Sequence, residues 1–320
     1  MRIVFMGTPQ IAAYALHYLH EQAFNIVGVV TNPDKPAGRG KQLHQSAVKL
    51  MATQLDIPVL QPERLTDPQF LTDLQNFNAD IQVVLAFRML PKSVFSMPAM
   101  GTINLHTSLL PDYRGAAPIN HVIINGEQES GVTTFLLNET MDGGDLLLQQ
   151  KLTLSPDETA GSLHDKLAII GAQLLTETLH GIANNQLVPI KQPIHTEQVL
   201  HSAPKIFKAD CEIDWTLPAH KVLQCIRGLS PTPTAFARLS DQLNLKIFQA
   251  EKALDVQQTA SAGTIYTNQK NLLRVCCGDA QWLQLSEVQV SNKQRMPVDV
   301  FLRGFSFEAF SHFLPKSYAN

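Results

Sequence analysis

The sequence lacks most of the features that announce a function outright. Its four cysteines, Cys211, Cys225, Cys276 and Cys277, include no Cys-x-x-Cys pair and no zinc-ligand spacing. Adjacent Cys276 and Cys277 read as strand residues facing opposite ways. No disulfide framework and no metal are expected, and the cysteine usage fits a soluble protein of a reducing compartment. No apolar run approaches the roughly 20 residues of a spanning helix, so no membrane is expected as a partner. The opening Met-Arg-Ile-Val-Phe-Met-Gly is too short an apolar stretch for a signal peptide. The turn after it, Gly7-Thr8-Pro9, lacks the second glycine of G-x-G-x-x-G and a Walker lysine, and no acidic residue closes the next strand. A dinucleotide is therefore not expected there; Gly7 reads as a strand-to-helix bend lining a cleft. Repeats and low-complexity tracts are also missing.

What is present points to an ordinary packed protein. Hydrophobic residues make up 44% and charged residues 17% of 320, enough for a core, and the length implies about two domains. The net charge of -3 is unevenly spread. Residues 1–190 hold 11 basic against 17 acidic side chains, and residues 191–320 hold 14 against 11. A mildly basic second half beside an acidic first half hints at a polyanionic partner.

The first half alternates strand and helix signals. Buried-strand runs stand at Ile3–Met6, Ile26–Thr31, Ile57–Leu60, Ile81–Phe87, Gly101–His106, Gly131–Leu137 and Asp145–Leu154. Helical periods fall near residues 10–22, 46–55, 67–77, 90–96, 118–125 and 159–184, and residues 32–45 read as a loop. The pattern predicts an α/β domain over 1–188, a doubly wound, mostly parallel, Rossmann-like sheet. Ligands on such sheets bind at the carboxyl ends of the strands. Residues 189–208, with three prolines, read as a linker. Beyond them, short apolar runs with turns, interrupted by a helix near 219–229, predict a small β-barrel of OB-like type over 209–320.

The most informative stretch is INLHTSLLPDYRGAAPI, residues 103–119. Asn104 and His106 are two apart on a predicted strand, so they share a face. Two polar side chains in an apolar sheet need partners, or each costs roughly 1–3 kcal/mol. For a lone histidine, a satisfied polar pair at the sheet edge is the simpler reading. Here a second polar cluster follows, Met141-Asp142-Gly143-Gly144-Asp145, whose glycines suit a tight loop. An aspartate able to reach a histidine fixes its tautomer and favours its charged form. An asparagine amide beside it completes a pair of donors for a developing oxyanion. No serine or cysteine stands out as a nucleophile, so direct attack by a substrate nucleophile on a carbonyl is the chemistry implied.

The words NLHTSLLP and, some 25 residues on, MDGGD resemble the formyltransferases that use 10-formyltetrahydrofolate. The resemblance implies transfer of a formyl group from the folate to an amine. It puts Asn104, His106 and Asp142 at the catalytic positions, with Asp142 orienting His106, and Ser108, Leu109, Leu110 and Pro111 at the folate-contacting run. Residues Phe87, Arg88, Met89 and Leu90 then line the pterin pocket through backbone groups. Many members read Tyr-Gly at Phe87-Arg88, and the bulk of Arg88 is accommodated if its side chain points to solvent.

Three further stretches resemble the branch of that family acting on methionyl-tRNA. These are TNPDKPAGRGKQLHQSAVK (31–49), APKIFKADCEIDW with IRGLSPTPTAF (203–215 and 226–236), and KQRMPVDVFLRGF (293–305). The resemblance implies initiator methionyl-tRNA as the partner beside the folate co-substrate. Arg39 and Lys41 on the glycine-flanked loop, and Lys205 and Lys208 at the start of the second domain, are then RNA contacts. It also implies work in the bacterial cytoplasm or an organelle; a monomer is expected because nothing in the sequence suggests a large apolar interface. The rivals are a formyltransferase for an amino sugar or other small amine, a hydrolase of the formylated folate, and a non-catalytic RNA-binding protein.

Overall fold

The computed structural model describes residues 1–37, 42–193, 199–253, 259–291, 293–308 and 310–317. The chain divides into two compact units. The first comprises Met1–Pro118, Glu129–Thr153 and His164–Ser202, and the second Ile119–Gln128, Leu154–Leu163 and Ala203–Asn320.

In chain order, residues 1–203 form β1 (Arg2–Gly7), α1 (Gln10–Glu21), β2 (Asn25–Val30), β3 (Lys35–Ala37), β4 (Gln42–His44), α2 (Ala47–Gln54) and β5 (Val59–Leu60). Then follow α3 (Pro68–Asn76), β6 (Ile81–Leu85), α4 (Lys92–Phe95), β7 (Thr102–His106), β8 (Arg114–Gly115), α5 (Pro118–Asn125), β9 (Glu129–Leu136), β10 (Leu146–Thr153), α6 (Ala160–Ala183) and β11 (Ser202–Ala203). Strands of the first unit build a seven-stranded sheet in the order β10-β9-β7-β6-β1-β2-β5. From β5 to β7 all neighbours are parallel. Parallel strands are covered on both faces, which is why Ile3, Val4, Phe5 and Met6 are all fully buried. The helices start where capping chemistry allows. Ser46 Oγ accepts the Lys49 N–H at 3.0 Å ahead of α2, and Asp67 Oδ1 accepts the Gln69 N–H at 2.8 Å ahead of α3, with Pro68 at the first helical position.

Two features of the first unit depart from the sequence pattern. Strand β9 runs antiparallel to both its neighbours, β7 and β10, so the sheet is not parallel throughout. The stretch read as a loop at 32–45 contains the antiparallel pair β3–β4.

The chain leaves β1 towards β2 and β5, then returns to β6 on the other side. The carboxyl ends of β1 and β6 therefore form the topological switch point at which such sheets bind ligands. Gly7 is required there. A Cβ on it stands 2.6 Å from the Ala12 Cβ and 2.9 Å from the Leu85 carbonyl oxygen, so only glycine lets these segments close up.

The second unit holds a 3-10 helix at Lys208–Cys211, α7 (Ala219–Leu229), β12 (Ala235–Ser240), β13 (Leu243–Lys252), β14 (Ile265–Thr267), β15 (Leu273–Cys276), β16 (Trp282–Val290), β17 (Met296–Pro297) and α8 (Val298–Leu302). Its antiparallel sheet runs β12-β13-β16-β15-β14, with β17 added to β16. Among the described residues β12 and β14 do not pair, so the expected barrel is a curled half-barrel. Ile226 and Leu229 of α7, Leu245, Ile247, Leu283 and Val288 of the sheet, and Phe301 of α8 share its core. No helix among the described residues is long and apolar enough to cross a membrane.

Candidate active site

Asn104 and His106 end β7, beside the switch point. Asn104 is in register with Val84 of β6 and Phe135 of β9, and His106 with Thr133 of β9. The imidazole is buried, and its Nε2–H donates to the Tyr113 carbonyl oxygen at 2.9 Å. A carbonyl can only accept, so Nε2 carries a proton and Nδ1 is the nitrogen left for another partner. Tyr113 presents that carbonyl from a left-handed backbone, φ +58°, uncommon for a residue with a side chain. Two contacts hold it there. Its N–H donates to the His201 carbonyl at 2.7 Å, and its ring stacks on the His201 imidazole with centroids 5.3 Å apart.

Asp142 stands on the loop between β9 and β10, also with a left-handed backbone, φ +49°. Its Oδ2 accepts the Gly115 N–H at 2.9 Å. Among the described residues no hydrogen bond or ion pair joins Asp142 to His106. The sequence argument gave Asp142 the task of fixing the histidine tautomer; here the Tyr113 carbonyl does so. The two side chains nevertheless meet on one short segment, Tyr113-Arg114-Gly115. Asn104 is half-buried, and its amide has no side-chain hydrogen bond to a described residue, which leaves its donors open to a ligand. An asparagine amide and an imidazole at the end of one strand, with a carboxylate held by the Gly115 N–H, are groups that can stabilise a developing oxyanion on a carbonyl.

Residues 1–179 match the family described as Formyl transferase, and residues 205–306 match Formyl transferase, C-terminal domain. The chain belongs to the formyl transferase family. It is 44% identical over 310 residues to the methionyl-tRNA formyltransferase of Bacteroides thetaiotaomicron, covering 95% of this chain and 96% of that one. It is 41% identical over 310 residues to that of Flavobacterium johnsoniae, covering 96% and 97%. Among solved structures, the sugar 3N-formyl transferase WlaRD, crystallised with dTDP and 5-N-formyl-THF, superposes with a TM-score of 0.64 at 19% identity, covering 92% of this chain and 99% of that one. HypX from Aquifex aeolicus in complex with tetrahydrofolic acid gives 0.66 at 15%, covering 97% and 48%. At those identities the structural likeness shows the fold alone.

In this formyl transferase the run Ser108–Pro111 is organised by Thr133. Its Oγ1 donates to the Ser108 carbonyl at 2.6 Å and accepts the Leu110 N–H at 3.1 Å and the Gln149 Nε2 at 2.9 Å. Ser108 is buried and its Oγ donates to the Asp112 carbonyl at 2.7 Å. Leu110 packs inward with Phe135 and Leu146. Only Leu109, Pro111 and the backbone of this run are turned even partly outward.

Phe87 and Leu90 pack into the apolar cluster of Val4, Met6 and Val30, while Met89 is exposed. Arg88 corrects an expectation: it does not point to solvent. Its two terminal nitrogens donate to the carbonyls of Glu63 and Pro62 at 2.9 and 2.8 Å, and its guanidinium lies 5.2 Å from the centre of the Phe87 ring. Burial lowers its pKa from the usual arginine value. Arg39 and Lys41 lie outside the described residues. Lys205 and Lys208 are exposed in the second unit, the Lys205 ammonium 5.4 Å from the exposed Phe207 ring.

Tyr113, Thr133, Gln149, Gln192 and His201 were not singled out from the sequence. Each acts through a partner far along the chain, or through a backbone atom, and neither leaves a local signature.

Proposed function

We propose that this formyl transferase carries the formyl group of 10-formyltetrahydrofolate to the free α-amine of initiator methionyl-tRNA. The observation that carries the acceptor is the 41–44% identity to methionyl-tRNA formyltransferases along nearly the whole chain, second unit included. Neighbours with sugar acceptors share the fold at far lower identity, and fold alone does not choose a substrate. Neighbours crystallised with folates support a folate donor at the switch point, where the half-buried, unengaged Asn104 amide suits a polar ligand.

In the mechanism, the α-amine attacks the formyl carbon directly, and holding donor and acceptor together supplies much of the rate. The carbonyl electron pair moves to oxygen. The Asn104 amide and the Nδ1–H of His106, in its imidazolium form, donate to that oxyanion. The Asp142 carboxylate takes the proton released by the amine. Collapse re-forms the carbonyl and expels the folate nitrogen, which takes up the proton that Asp142 received. Arg39, Lys41, Lys205 and Lys208 are the proposed contacts to the RNA backbone, and binding that rests on them weakens as salt rises.

The test is an acceptor panel with one formyl donor: methionylated initiator tRNA, an amino-sugar nucleotide, and no acceptor. Formyl transfer to methionyl-tRNA above both others supports the reading. Faster transfer to the sugar, or release of formate without an acceptor, overturns it.

A further inference from the structure

We propose that Gln192 is a positioning residue for formyl transfer, acting through Asp142; the inference rests on the catalytic reading of Asp142 given above. Gln192 lies in the stretch whose prolines read as a linker, yet its amide is fully engaged. Nε2 donates to the carbonyl oxygens of Asp142 and Gly144 at 2.7 and 2.9 Å. Oε1 accepts from Arg114 Nη2 and Nε at 2.5 and 3.2 Å. One side chain therefore ties the Asp142 loop to the residue between Tyr113, whose carbonyl fixes His106, and Gly115, whose N–H holds the Asp142 carboxylate. Gln192 is itself anchored two residues upstream, where Ile190 and Leu146 exchange backbone hydrogen bonds at 2.7 and 2.9 Å.

The loop needs such a hold. Asp142 keeps a left-handed backbone without being glycine, a conformation that persists only where its surroundings impose it. Gly144 approaches the Leu136 carbonyl so closely that a Cβ would stand 1.6 Å from it. The Gln192 amide takes up the carbonyls of both residues. Without it, the carboxylate keeps its charge but loses its fixed place against the amine.

The connecting stretch does the same for the other half of the site. The His201 carbonyl accepts the Tyr113 N–H at 2.7 Å, and the His201 N–H donates to Asp112 Oδ1 at 2.7 Å.

The experiment uses the full chain, single-turnover formylation of methionyl-tRNA, and a double-mutant cycle. Gln192→Glu keeps an acceptor for Arg114 and removes the two donated bonds; Gln192→Ala removes everything. We expect the formylation rate to fall on the order of 10- to 100-fold in both. The apparent affinity for methionyl-tRNA and the melting temperature of Gln192→Glu should stay near wild type. In an Asp142→Asn background the same substitutions should cost less than about twofold, because the group they position is already gone. Full, multiplicative losses in that background overturn the inference, as does a lowered melting temperature with an unchanged rate. If Asp142→Asn alone retains wild-type turnover, the catalytic reading of Asp142 fails first, and this inference with it.

Discussion

His106 donates its Nε2–H to the carbonyl oxygen of Tyr113 at 2.9 Å, and this bond decides which nitrogen of the imidazole faces the chemistry. Two residues further on, Gly115 donates to Asp142 Oδ2 at 2.9 Å. The histidine and the aspartate are thus set by one short segment rather than by each other. Among the described residues the aspartate makes no hydrogen bond to the imidazole, which under the proposed mechanism leaves it for the amine.

Asn104 presents an uncommitted amide, so its loss should spare the fold and cost the reaction. Asn104→Ala is expected to lower kcat by about 10²- to 10³-fold, the usual effect of deleting one oxyanion donor, with a melting temperature close to wild type. Steady-state kinetics beside a thermal melt checks this. A large drop in melting temperature with kcat preserved assigns Asn104 to the core instead.

Arg88 is expected to matter for stability, not transfer. Its guanidinium joins the loop at Pro62–Glu63 to the end of β6 through two carbonyls. Arg88→Ala should reduce stability by about 1–3 kcal/mol in urea denaturation and change kcat only a few-fold. Intact stability with lost affinity for the folate donor contradicts that assignment.

The second unit should lose stability in acid through Glu212. This buried carboxylate accepts from Arg238 Nε at 2.7 Å and from Ser317 Oγ at 2.5 Å. Burial pushes its pKa up, but hydrogen bonds from Ser317 and Arg238 outweigh burial and hold it below the ordinary glutamate value. A depressed folded pKa stabilises fully above the unfolded pKa, and the contribution fades as pH falls through the folded one. Glu212→Gln should therefore destabilise the protein near pH 7, with a gap to wild type that narrows below about pH 4–5. Denaturant titrations at both pH values measure it, and a gap that widens in acid contradicts the sign.

The four thiols should be inert in the folded protein. All have raised pKa values, foremost by burial, with Cys225 pushed up to about 11 and Cys277 to about 12. The thiolate is the reactive species, so a disulfide-exchange reagent at pH 7.5 should label native protein slowly and all four cysteines after denaturation. Rapid stoichiometric labelling of the native enzyme refutes this.

How much of the molecule was legible in its sequence depended on whether a feature was local. Ile3–Met6 and Ile81–Phe87 read as buried strands because both faces of a parallel sheet are covered, which leaves continuous apolar runs. Asn104 and His106 stood out because two polar residues broke such a run at a spacing that keeps them on one face. The reversal of β9 against the sheet was hidden, since apolar alternation carries no strand direction. The inward path of Arg88 was hidden too, because its carbonyl partners lie about 25 residues away. Gln192 reaches Asp142 across 50 residues from a stretch whose prolines and weak periodicity look like a tether. Such positioning contacts are tertiary, and composition does not record them.

The most direct test of the site is single-turnover formylation of methionyl-tRNA by His106→Ala, with circular dichroism and a thermal melt on the same preparation. The structure predicts a folded protein, destabilised by about 1–3 kcal/mol for the orphaned Tyr113 carbonyl, whose formylation rate has fallen at least about 100-fold. A folded His106→Ala enzyme that formylates methionyl-tRNA at near wild-type rate would contradict it.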